Sequence, residues 1–193
     1  MKKGLTLTDI LVTIVIAVVF SLIYKIWGPV YDLASTLGLH INEMVYGMWF
    51  IAASVAFLII RKPGVALLAE VAAASGEFLA GSQYGLIVLL YGVLQGLGAE
   101  LIFAMFKYRS YSLFVACLAG VGATAGSFVM DYFQGYMVDK ELWNLLLQIG
   151  ARTIGGIVIT GVFAYYLVKT LEKTGVTNLV RPASEKDYRA LDE

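Results

Sequence analysis

The sequence is short of charge. Asp, Glu, Lys and Arg make up 15% of its 193 residues, against about 25% in an ordinary soluble domain. The 14 basic and 14 acidic side chains cancel, which argues against a nucleic-acid partner, since such partners are held by a basic surface. Cysteine occurs once, at Cys117; an internal disulfide and a cysteine-rich zinc site are ruled out. The single histidine, His40, argues against a multi-histidine metal centre and a Ser-His-Asp enzyme. There is no Gly-x-x-x-x-Gly-Lys-Ser/Thr run and no Asp-rich metal motif. Any ATP chemistry must therefore come from another chain, and no catalytic residue, metal or cofactor is expected. With 3 prolines against 20 glycines, helices packed through small residues fit better than a loop-rich chain.

What the sequence has in excess is apolar surface. Hydrophobic residues reach 60% and the mean hydropathy is +0.80. A soluble fold of this size cannot hide that much, so the chain reads as an integral membrane protein. A spanning helix needs about 20 mostly apolar residues, and six such stretches are expected: 8–27, 44–60, 64–81, 85–106, 113–134 and 142–171. The third is weakened by Glu70 and Glu77. Continuous runs such as residues 10–20 do not alternate, which excludes a β-barrel. Lys2 and Lys3 before the first run suggest a signal peptide, but the run ends in Lys25-Ile26-Trp27-Gly28-Pro29 without a small-x-small cleavage site and is kept as a span. The fold expected is an all-α six-helix transmembrane bundle over residues 1–174, followed by a polar, flexible tail at 175–193.

Basic residues orient the bundle. Of the 14 Lys and Arg residues, only Lys25 and Lys140 fall in outward segments and Arg152 inside a span. The rest, including Lys2, Lys3, Arg61, Lys62, Lys107, Arg109, Arg181, Lys186 and Arg189, share one side. Both termini are expected in the cytoplasm, and the loops at 28–43, 82–84 and 135–141 outside.

Orientation turns sequence position into depth. Charged groups in hydrocarbon are costly and face a cavity or a partner. Glu77, Gln95, Asp131, Gln134, Asn144, Gln148 and Arg152 fall in the outward halves of four helices, with Tyr84 and Tyr91 above Gln95 and with Trp27, Tyr46, Trp49, Tyr136 and Trp143 at similar depth. The inward halves carry only Glu70 and Glu100. That asymmetry predicts a pocket open outward and closed below, with Glu77, Trp49, Tyr84, Tyr91, Gln95, Asp131, Asn144, Gln148 and Arg152 as candidate ligand contacts. Each has a plainer reading: an aromatic belt for the outer Trp and Tyr, a structural Asp131–Arg152 ion pair, a helix cap for Asn144. Glu77 resists it, having no basic residue as obvious partner. Cys117 reads as packing and His40 as a lid or surface residue. Small residues recur every four positions at Thr13, Ala17 and Ser21, at Gly92 and Gly96, and at Gly122 and Gly126. The first stripe lies on an otherwise apolar helix and is the expected docking face for another membrane protein.

Six spans in this length, both ends inside and a small-residue first helix resemble the substrate-binding S component of energy-coupling factor (ECF) vitamin transporters. The runs Glu70-Val71-Ala72-Ala73-Ala74-Ser75-Gly76-Glu77 and Gln95-Gly96-Leu97-Gly98-Ala99-Glu100 resemble the thiamine or hydroxymethylpyrimidine permease type. The first helix departs from the usual Ala-based pattern, with Ser21 where the second alanine is expected. The resemblance implies a high-affinity vitamin-binding subunit in a prokaryotic cell membrane, partnered by a membrane coupling (T) subunit and two ATPase subunits. Thiamine suits the polar set. A carboxylate such as Glu77 accepts from its amino group, aromatics hold the thiazolium cation, and Gln95, Asn144 or Gln148 serve the ring nitrogens or hydroxyl. The alternative is an ion-coupled secondary transporter for a small cationic or aromatic solute, with Glu70, Glu77 and Glu100 carrying protons; the internal repeat often found in such proteins is not evident. An intramembrane enzyme is the weakest reading, because His40 has no nucleophile beside it.

Overall fold

The computed structural model describes residues 4–180. Lys2, Lys3, Arg181, Lys186 and Arg189, used above for orientation, lie outside the described residues, as does the tail from 181 onward. The described chain is helical throughout and contains no strand. Helix α1 spans Leu7–Ser35, α2 Ile41–Ile60, α3 Val65–Leu79, α4 Ile87–Met105, α5 Leu113–Phe133 and α6 Leu142–Lys173. Five of these are long and apolar enough to cross a membrane. The exception, α3, has 15 residues, about 22 Å at the helical rise.

Local chemistry sets several of the ends. Thr6 caps α1 in a reciprocal box with Asp9: its hydroxyl accepts the Asp9 N–H, and its own N–H donates to the Asp9 carboxylate at 2.6 Å. Ser112 caps α5. Helix α3 is capped from a distance. The Glu100 carboxylate on α4 accepts from the Gly64 and Leu67 N–H groups at 2.6 and 3.1 Å. Glu100 therefore serves backbone rather than a solute.

Helix α1 runs eight residues past the end expected at Trp27. Pro29 sits inside it, and tertiary contacts hold the extension: the Trp27 indole donates to the Val45 carbonyl at 2.8 Å and the Tyr31 hydroxyl to Glu43 at 3.1 Å. The first residues of the expected tail, 175–180, lie within the described part of the chain. Val176–Leu179 forms a short 3-10 turn with Thr177 buried.

The centre of the bundle is α2. Every residue of Ile51–Ile60 is buried, as befits a helix apolar on all sides, and the other helices wrap it. Close approach elsewhere depends on missing side chains. On α4 and α5, a Cβ on Gly98 would collide with the Gly122 carbonyl, and the reverse holds for Gly122. Between α1 and α3, a Cβ on Gly76 would run into the Ser21 side chain.

This last contact corrects the docking expectation. Thr13, Ala17 and Ser21 are all buried, so the stripe faces inward and lets α1 lie tightly on α3. The exposed face of α1 carries Leu11, Val15, Val18 and Leu22 instead. The error was one of side: spacing shows that small residues share a face but not which neighbour that face meets.

One end of the bundle is shut. Phe57 and Phe103 stack at 3.7 Å, and the ion pairs Lys62–Asp9 at 2.5 Å and Arg61–Glu172 at 3.0 Å tie the helix ends there.

Candidate ligand-binding site

The opposite end is hollow. A cavity of about 450 Å³ opens there and draws side chains from all six helices. Its size is typical for a small organic ligand.

The aromatic wall follows from a local change of winding. Within α2, Tyr46–Phe50 adopts a 3-10 turn before the α-helix resumes. Three residues per turn put Tyr46 directly in line with Trp49. Trp49 then meets Tyr31, Tyr46 and Tyr84 edge-on, with ring centroids 5.2, 5.4 and 5.7 Å away. Such cages suit a flat ring or a soft cation. Partial desolvation against this wall pushes the Tyr84 phenol above its ordinary range, so it enters the site as a neutral hydroxyl.

Glu77 stands at one side of the cavity, almost fully buried. It accepts the Ser82 hydroxyl at 2.9 Å and forms no ion pair among the described residues. Lys25, whose charge reaches it, donates instead to the Gly81 carbonyl oxygen. Beside Glu77 the buried Trp49 indole N–H interacts with the Glu77 carboxylate without completing a well-formed hydrogen bond to any described residue. A buried donor left open costs stability, so this pair of groups is poised for something that fills the cavity.

The other side is organised around Arg152. Its Nε donates to Glu43 at 2.5 Å, and its Nη1 to Asp131 at 2.7 Å and Ser127 at 3.0 Å. Its guanidinium lies 3.9 Å from the Tyr46 ring centroid and 4.5 Å from that of Phe128. Tyr91 donates to Asp131 at 2.6 Å. Gln148 donates to Glu43 at 3.3 Å and accepts from Lys140 at 2.6 Å. A continuous polar network thus runs from the Lys140 ammonium inward to Tyr91. Gln95 reaches the Tyr46 hydroxyl only at 3.5 Å, which leaves it adaptable.

Eight of the nine expected contacts line the cavity: Glu77, Trp49, Tyr84, Tyr91, Gln95, Asp131, Gln148 and Arg152. Asn144 does not; it pairs with His40 and ties the loop before α2 to α6. The Asp131–Arg152 ion pair is present, but Arg152 is shared with Glu43, which sequence reasoning left at the end of an outer loop. The overlooked signal was the three-residue spacing of Glu43, in the α-helical turn Ile41–Val45, with Tyr46 and Trp49 of the 3-10 turn that follows; all three line the cavity. Tyr31, Tyr136 and Lys140 also line the cavity.

Glu70 sits deeper and is fully buried. It accepts from the Tyr24 hydroxyl at 3.0 Å and the Ala53 N–H at 3.1 Å, while Tyr24 accepts the Ala52 N–H at 3.0 Å. Together Glu70 and Tyr24 satisfy the backbone donors freed where α2 changes winding.

Comparison with known proteins agrees with this geometry. Residues 8–126 match the family described as "ABC-type cobalt transport system, permease component". The chain is 36% identical over 179 residues to the "Putative HMP/thiamine permease protein YkoE" of Bacillus subtilis (strain 168), covering 91% of this chain and 89% of that protein. It also superposes on a solved structure titled "Crystal structure of an S-component of ECF transporter" with a TM-score of 0.89 and 34% identity, over 98% of both chains. The fold is shared along almost the whole of both chains, and this chain belongs to the S components of ECF transporters.

Proposed function

We propose that this chain is the ligand-binding subunit of an ATP-driven ECF importer in a prokaryotic cell membrane, and that its ligand is thiamine or the hydroxymethylpyrimidine part of it. In this reading residues 1–174 form six spans with both termini in the cytoplasm, and the cavity faces outward. A membrane coupling subunit and two ATPase subunits supply the energy, for which this chain has no nucleotide motif of its own.

The observation that carries the proposal is the pairing of an ion-unpaired, buried carboxylate, Glu77, with an edge-packed aromatic cage in one cavity. Glu77 accepts from the aminopyrimidine, the Trp49 N–H beside it is available as a donor, and the rings of Trp49, Tyr46 and Tyr84 flank the thiazolium. Glu43, Glu77 and Asp131 outnumber Arg152 and Lys140 by one, which suits a ligand with one positive charge. The aromatic walls and the commitment of two carboxylates to Arg152 favour an organic cation over a bare metal ion. The structural duties of Glu70 and Glu100 count against the proton-carrying alternative.

The test is calorimetric titration of the purified chain with thiamine and with hydroxymethylpyrimidine, alongside mass spectrometry of small molecules that survive purification. Submicromolar, one-to-one binding of either supports the proposal. Binding of neither overturns it. Accumulation driven by an ion gradient through the chain alone would favour the secondary transporter.

A further inference from the structure

Helix α2 contains no proline, yet its winding breaks in the middle. Tyr46–Phe50 forms a 3-10 turn, and Phe50 leaves helical geometry at φ −139° and ψ 17° before Ile51–Ile60 resumes. A break of this kind has an identifiable cause, and here it is a set of side chains from three other helices. The Ile51 N–H reaches back only to the Met48 carbonyl. The Gly47 carbonyl, which Ile51 would meet in a regular α-helix, accepts the Thr160 hydroxyl of α6 at 2.6 Å. The next two donors go to side chains: the Ala52 N–H to the Tyr24 hydroxyl of α1 at 3.0 Å, and the Ala53 N–H to the Glu70 carboxylate of α3 at 3.1 Å. Gly47 permits the approach of α6, because a Cβ there would lie 2.6 Å from the Gly155 carbonyl oxygen. Tyr24, Glu70 and Thr160 are all buried. The cavity lining includes neither Glu70 nor Thr160. Tyr24 lines it, but its hydroxyl is committed to Glu70 and Ala52.

We infer that Tyr24, Glu70 and Thr160 are positioning residues for ligand recognition: they hold the break in α2 and thereby set the site's preference for thiamine over hydroxymethylpyrimidine. In a continuous α-helix three residues turn through about 300°, which would swing Trp49 about 60° out of line with Tyr46. The edge contacts of Trp49 with Tyr31, Tyr46 and Tyr84 depend on that alignment. Glu77 stands on α3 and does not depend on the winding of α2. Loss of the clamp therefore falls on the thiazolium half of the ligand and largely spares the aminopyrimidine half. The inference rests on the thiamine reading of the cavity and deepens it with side chains whose polar groups touch no ligand.

The experiment is calorimetric titration of the full chain in detergent with thiamine and with hydroxymethylpyrimidine, for the native protein, Thr160→Val, Thr160→Ser and Tyr24→Phe. Valine keeps the branched shape of threonine and lacks the hydroxyl. Thr160→Val should weaken thiamine by about three- to tenfold, the equivalent of one neutral hydrogen bond, and hydroxymethylpyrimidine by no more than about twofold. Thr160→Ser restores the hydroxyl and should return the ratio of the two affinities to the native value. Tyr24→Phe removes a hydroxyl on the opposite side of the break and should shift the ratio in the same sense as Thr160→Val. A purely structural role would weaken both ligands alike, so the ratio is the signature. A native ratio in either Thr160→Val or Tyr24→Phe overturns the inference, as does a ratio that Thr160→Ser fails to restore. Loss of both ligands in Thr160→Val and Tyr24→Phe also overturns it, since these residues then hold the fold and not the preference. Failure of the native chain to bind either ligand overturns the thiamine reading itself, and this inference with it.

Discussion

Glu77 and Arg152 are both buried polar residues at the same end of the bundle, yet only Arg152 has its charge met from within the protein. Arg152 is held by Glu43 and Asp131; Glu77 receives one hydroxyl. A charged hydrogen bond in a dry site is worth roughly 1.5–3 kcal/mol. Glu77→Gln should therefore weaken thiamine binding by about ten- to a hundredfold in a calorimetric titration while the thermal midpoint stays close to native. Arg152→Met should act the other way round. It strands two buried carboxylates that had shared one cation, and breaking a buried pair costs about 3–5 kcal/mol. Thermal melts should place Arg152→Met well below Asp131→Asn, because Glu43 still pairs with Arg152 in the latter. Equal midpoints would mean that the triad does not act as a unit. Much of this was legible in the sequence, since a polar residue in hydrocarbon must face a cavity or a partner, and depth singled out Glu77, Asp131 and Arg152. Glu43 was not, because its place depends on α1 continuing through Pro29 and on the tightened winding of Tyr46–Phe50, neither of which hydropathy reports.

Among the helices, α1 and α2 show how far pattern reaches. Apolar runs place their cores without ambiguity, and the i, i+4 spacing of Thr13, Ala17 and Ser21 marks a close helix contact. The partner across that contact is α3, at Gly76, and only the folded bundle reveals it. The physical consequence is a changed expectation for substitutions there. Gly76→Leu forces a side chain into Ser21 and should cost about 1–3 kcal/mol, as overpacking does. Ala17→Trp belongs with it as a folding defect. Val18→Leu, on the exposed face, should leave the thermal midpoint unmoved. A midpoint for Gly76→Leu equal to that of Val18→Leu would mean that α1 and α3 separate readily. On α6 the winding widens to π-type over Gly156–Phe163, about one turn after Arg152. Such insertions often accompany functional sites, and this one follows the side chain that anchors the polar network.

At the scale of the molecule, the arrangement of ends can be tested without a ligand. Residues Arg61, Lys62 and Glu172 gather at the shut end, while Lys140 and Glu77 share the hollow one. In a Cys117→Ala background, Asp139→Cys should react with an impermeant thiol reagent on intact cells, and Arg109→Cys should not. The opposite pattern would invert the proposed orientation. The stacked Phe57–Phe103 pair and the ion pairs beneath the cavity bear on a different quantity, the stoichiometry of uptake. A molecule that enters from the open end has no way on through a sealed floor. Cells making this chain without ATPase partners should therefore hold at most one labelled ligand per copy, released by an unlabelled chase from the side it entered. The protein alone is then a counter rather than a conduit: its signal saturates with the number of chains in the membrane and stays independent of time.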